Sequence, residues 1–209
     1  MNINSPGKIN LLDWCFVASL MPLFWLLVNI GFDNLGANPI QAVEIRLGDW
    51  TLRFLCITMA ITPIQIVTKW RGMSDYRRLF GLYTFFYATL HVLAYILVDH
   101  ALQWRIIGVD IMQSSYIWFG VLTYAIIFLL AITTHKSAKK GMGKYWKKLH
   151  RLIYLASITA IMHYFWQLKG NQIQPFLYLL LILILLAFRI IDKRRDRQLY
   201  PAVIPDSRR

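Results

Sequence analysis

Five histidines occur in the 209-residue chain. Three of them, His91, His150 and His163, fall inside or at the mouth of strongly apolar segments. An ionisable side chain at membrane depth is costly, and it persists mainly where it pairs, holds a cofactor or lines a path. His91 lies 13 residues past the basic pair Arg77 and Arg78, and His163 lies 12 past Arg151. If both segments start at the same face, a rise of ~1.5 Å per residue carries both imidazoles ~18–20 Å into the apolar layer. Two neutral imidazoles level with one another on adjacent helices can hold one iron from both sides, which is a recurring way to fix a b-type haem. His91 and His163 are therefore candidate axial ligands.

His150 precedes His163 by 13 residues and sits ~20 Å lower. On an ideal helix that spacing also turns it about 140° away from His163. A partner from the earlier segment would stand near position 77 or 78, where the chain has Arg77 and Arg78. A guanidinium stays protonated and cannot be an axial ligand. It can grip a propionate or phosphate with two parallel hydrogen bonds. The lower level is then either a haem on His150 with an unidentified or no second ligand, or an anionic cofactor such as a flavin nucleotide, or the edge of a quinone site. His100 and His135 lie just outside the apolar segments and read as solvated.

The elements that must position these residues are transmembrane helices. Hydrophobic residues make up 57% of the chain and mean hydropathy is +0.47. Apolar runs approach the ~20 residues needed to cross the hydrocarbon layer. Six spans are expected, near 11–30, 51–68, 79–98, 116–134, 149–167 and 174–191, as one all-α membrane domain over 1–209. No A-x-A cleavage site follows the first segment, so it is read as a retained helix. Cys15 and Cys56 fall within spans and act as small apolar residues.

The charge pattern sets the orientation. Lys8, four Lys/Arg in 69–78, seven in 135–151 and seven from Arg189 onward account for 19 of the 23 basic residues. This positive-inside asymmetry places both termini and the two basic loops in the cytoplasm. The formal +13 then suits anionic lipid head groups and requires no nucleic acid. The outer loop 31–50 is expected to hold a short interfacial helix, Pro63 to bend or end the second span, and the tail 192–209 to be disordered. No internal repeat stands out.

The segments LGANPIQA, RRLFGLYTFFYATLHVLAY and GKYWKKLHRLIYLASITAIMHYFW together resemble the MsrQ (YedZ) family, a branch of the ferric-reductase-like transmembrane superfamily. The resemblance runs over nearly the whole chain. It implies a multi-pass haem b subunit of the bacterial inner membrane, passing electrons to a periplasmic molybdopterin reductase, MsrP, that repairs methionine sulfoxide in envelope proteins. It further implies the quinone pool or a cytosolic flavin reductase as donor, with FMN as an associated cofactor. By motif position the haem histidines of the family fall on His91, His150 and His163. The superfamily carries two histidines in the third span; here Arg77 or Arg78 stands in place of one.

No segment is long enough to fold a flavin and nicotinamide domain, so electrons are expected to arrive from another protein or from quinol, and the chain is expected to work as a subunit without independent catalysis. Two rival readings are a small transporter or channel with a histidine proton relay, and a stand-alone surface ferric reductase.

Overall fold

A computed structural model describes residues 10–70, 72–168, 170 and 173–199, with side chains given as far as Ile191. All regular structure among the described residues is helical. The helices are α1 (Leu11–Gly31), α2 (Pro39–Thr68), α3 (Met73–Leu93) continued by a π-helical turn (Ala94–Asp99), α4 (Trp104–Gln113), α5 (Ser115–Ile132), α6 (Lys136–Met142), α7 (Lys144–Leu149), a 3-10 turn (His150–Leu152), α8 (Ile153–Gln167) and α9 (Ile173–Leu199).

Five of these are long and apolar enough to cross a membrane: Leu11–Gly31, Pro39–Thr68, Met73–Asp99, Ser115–Ile132 and Ile173–Ile191. The segment expected as a span at 149–167 is instead a 3-10 turn followed by the 15-residue α8. At ~1.5 Å per residue such a helix covers about 22 Å, less than the ~30 Å hydrocarbon layer. Apolar side chains face outward over the bundle: Phe24, Leu27, Leu183 and Ile184 are each more than half exposed. Apolar surface of that extent belongs against lipid.

Three differences from the sequence reading have physical causes. Residues 39–50 form the first three turns of α2, not a loop with a short helix, because the Asn38 side chain accepts a hydrogen bond from Gln41 N at 3.2 Å and Pro39 occupies the first helical position. Of the two effects expected of Pro63, an early end does not occur: α2 runs five residues further, to Thr68, where the second span was expected to finish. Proline lacks the N–H that would bond the carbonyl four residues back, and Arg189 Nη2 supplies a donor to that carbonyl, Met59 O, at 3.2 Å. The expected polar tail begins as helix, since α9 continues to Leu199; the rest of that tail lies outside the described residues.

The core forms where helices meet. Leu55 and Met59 of α2 pack with Ile161 of α8 and with Ile182 and Leu185 of α9. Leu26 of α1, Phe54 of α2 and Tyr83 and Tyr87 of α3 make a second cluster. Small residues let α8 approach its neighbours: Ala156 and Ser157 are fully buried, and Thr159 meets Thr123 of α5 at 2.7 Å between hydroxyls. Cys56 is buried and Cys15 half-buried, both as free thiols. The short α4 crosses one end of the bundle, with Ile107 buried and Trp104 and Met112 exposed.

Pro22 interrupts α1 as Pro63 interrupts α2, and α3 repairs it. The Tyr87 hydroxyl donates to Ser19 O at 2.8 Å and accepts from Leu23 N at 3.2 Å. Ser19 and Leu23 would be direct partners in an unbroken helix; the phenol inserts between them. Tyr83 reaches one turn further, donating to Phe16 O at 2.8 Å. Tyr87→Phe should leave a buried N–H and C=O less satisfied and destabilise the protein by about 1–3 kcal/mol. Thermal unfolding in detergent checks this; an unchanged midpoint would show that the helix closes on itself without the phenol.

Candidate functional site

His91 stands near the end of α3 and His163 near the end of α8, and their rings face each other with centroids 6.3 Å apart and planes at 79°. Both are half-buried because they border a cavity of about 430 Å³. Its walls come from α2, α3, α4, α5 and α8, with apolar side chains such as Leu55, Val92, Ile107 and Val121 and a polar end near Tyr95, Asp110 and Gln167. That size and lining suit an organic ligand held by a few directed polar groups.

Each imidazole is oriented by the same device. His91 Nδ1 lies 3.0 Å from Glu44 O, and His163 Nδ1 lies 2.8 Å from Tyr116 O. A carbonyl only accepts, so both Nδ1 atoms carry the proton and both Nε2 atoms keep a free lone pair. This is the tautomer a metal ligand needs, with the second-shell acceptor that fixes ring orientation. Four residues after each carbonyl comes a glycine. A Cβ on Gly48 would meet His91 Cε1 at 3.4 Å, and one on Gly120 would meet His163 Nδ1 at 2.8 Å. The rings occupy the space that those absent side chains leave.

The two seats match in spacing. The separation from carbonyl to histidine is 47 residues in each, and Ala88 and Ala160, one turn before each histidine, both line the cavity. The helix pairs α2–α3 and α5–α8 thus present one local pattern twice, where the sequence showed no evident repeat. The glycine-to-histidine interval that recurs at 48–91 and 120–163 was the available signal, and the residues missed with it were Glu44, Gly48, Tyr116 and Gly120.

Around the α4 end, Tyr95 donates to Asp110 Oδ2 at 2.8 Å and Ser114 to Asp110 Oδ1 at 3.0 Å. His100, expected to be solvated, lies against Tyr95 with ring centroids 4.4 Å apart and planes tilted by 47°, and stands 3.3 Å from Asp99 and 3.6 Å from Asp110. The π-helical turn after His91 brings Tyr95 and His100 together; such turns often mark functional sites. His135 is exposed, as expected.

The remaining candidates lie elsewhere. His150, in the 3-10 turn, stacks on Trp146 at 4.0 Å and meets Thr133 Oγ1 with Nε2 at 3.2 Å; it does not border the cavity. Arg77 Nη2 donates to Gln65 Oε1 at 3.0 Å, whereas Arg78 is exposed. No hydrogen bond joins either arginine to His150 among the described residues. Arg189 of α9, which sequence reasoning passed over, reaches into the same end of the bundle, donating to Thr62 Oγ1 at 2.6 Å and to the Tyr154 hydroxyl.

The residues fit a bis-imidazole haem at His91 and His163. Two rings sharing one metal ion at ordinary metal–nitrogen distances of ~2 Å would hold their centres roughly 6 Å apart, close to the 6.3 Å observed. Among the described residues, no group of three or more His, Cys, Asp or Glu converges to offer a competing metal site.

Residues 47–161 match the family described as ferric reductase like transmembrane component. The chain is 36% identical over 178 residues, 84% of its length and 81% of the relative's, to a protein of Polaromonas naphthalenivorans. It is 36% identical over 190 residues to one of Herminiimonas arsenicoxydans, covering 89% and 87% of the two chains. A relative in Xanthomonas axonopodis pv. citri is 37% identical over 175 residues, 84% and 80%. All three relatives carry the name protein-methionine-sulfoxide reductase heme-binding subunit MsrQ. Similarity of this degree over more than four fifths of the chain, joined to the ferric-reductase-like match, makes it a member of the MsrQ family.

Proposed function

We propose that this chain is a haem b electron-transfer subunit of the bacterial inner membrane that serves a periplasmic MsrP-type methionine sulfoxide reductase. The observation that carries the reading is the facing pair His91 and His163, each with Nδ1–H held by a helix carbonyl and Nε2 left free. Names of relatives that are heme-binding subunits support it. In this reading the chain crosses six times, with α8 as the short fifth span set within the bundle, and both ends lie in the cytoplasm.

A b-type haem bound between the two imidazoles would supply one-electron chemistry at a potential set by its ligands, hydrogen bonds and burial. The protein's own part is preorganisation. Glu44 O and Tyr116 O hold the ligand tautomers, and accepting the Nδ1 protons raises the basicity of the opposite nitrogens. Leu55, Val92 and Val121 keep water from the cavity wall. The lysines of α6 and α7, among them Lys139, Lys140, Lys147 and Lys148, give the cytoplasmic side a positive face for a flavin reductase or for the approach of quinol. His150, with Trp146, is assigned to a second haem or an FMN on that side. The α4 end faces the periplasm and the reductase.

Replacing His91 or His163 by Ala should abolish the reduced-minus-oxidised haem b absorption of the purified protein; spectra unchanged in both variants would sink the assignment. Gly120→Ala should weaken haem retention on the order of tenfold or more, because its Cβ would push His163 from its carbonyl. Gly48→Ala, meeting His91 at 3.4 Å, should do so less, and Gly108→Ala, with open space around it, should match the parent. Haem content per polypeptide after purification ranks the three.

A further inference from the structure

At the α6–α7 end, two guanidiniums converge on neighbouring turns of α2. Arg189 of α9 donates to Thr62 Oγ1 at 2.6 Å and Met59 O at 3.2 Å. Arg77 of α3 donates to Gln65 Oε1 at 3.0 Å. Residues three apart on a helix, as Thr62 and Gln65 are, hold their side chains ~5–6 Å from one another. Arg189 also donates to the Tyr154 hydroxyl. All the named partners are neutral oxygens, and among the described residues no carboxylate pairs with either arginine. Arg77 Nε and Arg189 Nε are both buried without a partner.

Two half-buried like charges at the edge of a membrane bundle repel each other and each pays a desolvation cost. Neutral oxygens do not cancel that charge. The free Nε–H groups add donors on guanidinium edges that match the fork geometry of an oxyanion. We propose that Arg77 and Arg189 form a two-guanidinium seat for a phosphate or carboxylate oxyanion, with the Tyr154 hydroxyl at its side. Tyr154 lies four residues after His150, so the seat places the anionic group of a ligand beside the second level of the electron path. Arg189 replaces Arg78 as the second arginine of that level. The inference rests on the electron-transfer reading above for its purpose, and on the geometry alone for its existence.

The test uses the full chain in phosphatidylcholine nanodiscs. Binding of FMN and of riboflavin, which lacks the phosphate, is compared for the parent, Arg77→Gln, Arg189→Gln and the exposed control Arg105→Gln. The same proteins are assayed for the thermal shift produced by adding phosphatidylglycerol, and for haem per polypeptide. An FMN affinity that falls on the order of tenfold to a hundredfold in the two variants, with riboflavin weak throughout, identifies a nucleotide phosphate. A phosphatidylglycerol shift lost only in those variants identifies a lipid headgroup. Loss of one haem equivalent, with the His91 and His163 signal retained, identifies a propionate. Equal behaviour of all four proteins in every arm overturns the proposal. If a glutamine variant fails to fold, Arg77→Lys and Arg189→Lys keep the charge while losing the fork, and the same comparisons decide. Retention of the His91 and His163 haem spectrum with no arginine dependence would refute the seat alone; its absence in the parent would refute the electron-transfer reading itself.

Discussion

Hydrocarbon offers no water to a backbone carbonyl, and that constraint organises this bundle. Where a helix is intact its carbonyls are satisfied within it. Where it is opened, or where a glycine leaves its wall thin, a side chain from another helix comes in. His91 and His163 use such openings, each placing its ring where Gly48 or Gly120 has no Cβ and donating to Glu44 O or Tyr116 O. The contact that satisfies the ring nitrogen also selects the tautomer and aims the free nitrogen at the cavity. Burial, orientation and ligand chemistry are one interaction.

The same rule explains how prolines are tolerated. Beside Pro22 the Tyr87 hydroxyl bridges Leu23 N and Ser19 O, and Pro63 leaves Met59 O for Arg189. In each case the break becomes a point of attachment between helices: α1 to α3 in the first, α2 to α9 in the second. Hydrogen bonds between membrane helices carry modest energy individually. Their value here is register, because the accepting carbonyls, Ser19 O and Met59 O, each occur at one fixed position along their helix. The Arg189 contact in turn sets a guanidinium beside Arg77.

The cavity site has a repeated architecture, while the opposite end does not. His91 and His163 have equivalent carbonyl, glycine and alanine neighbours, yet 13 residues before them stand Arg78 and His150, one exposed and the other stacked on Trp146. The 3-10 turn at His150–Leu152 shifts the helix phase there, so a ring placed by ideal helix geometry does not land where a uniform helix would put it. A matched pair of imidazoles at one level and an asymmetric, strongly basic surround at the other is consistent with two levels of different chemistry.

Membrane embedding, helical class and the depth-matched histidine pair were legible along the chain, because hydropathy and distance from a basic cluster are one-dimensional quantities. Helix ends were less so: Asn38 and Pro39 mark the start of α2, yet 31–50 was read as a loop with a short helix, and the shortness of α8 depends on how the basic stretch before it folds. The tautomers, the glycine seats and the Arg77–Arg189 pair were decided only in three dimensions. They join residues 47 positions apart for each histidine and 127 to 130 apart for Arg189. Spacing along one helix says which side chains share a level; which carbonyl they meet depends on the helix packed against them.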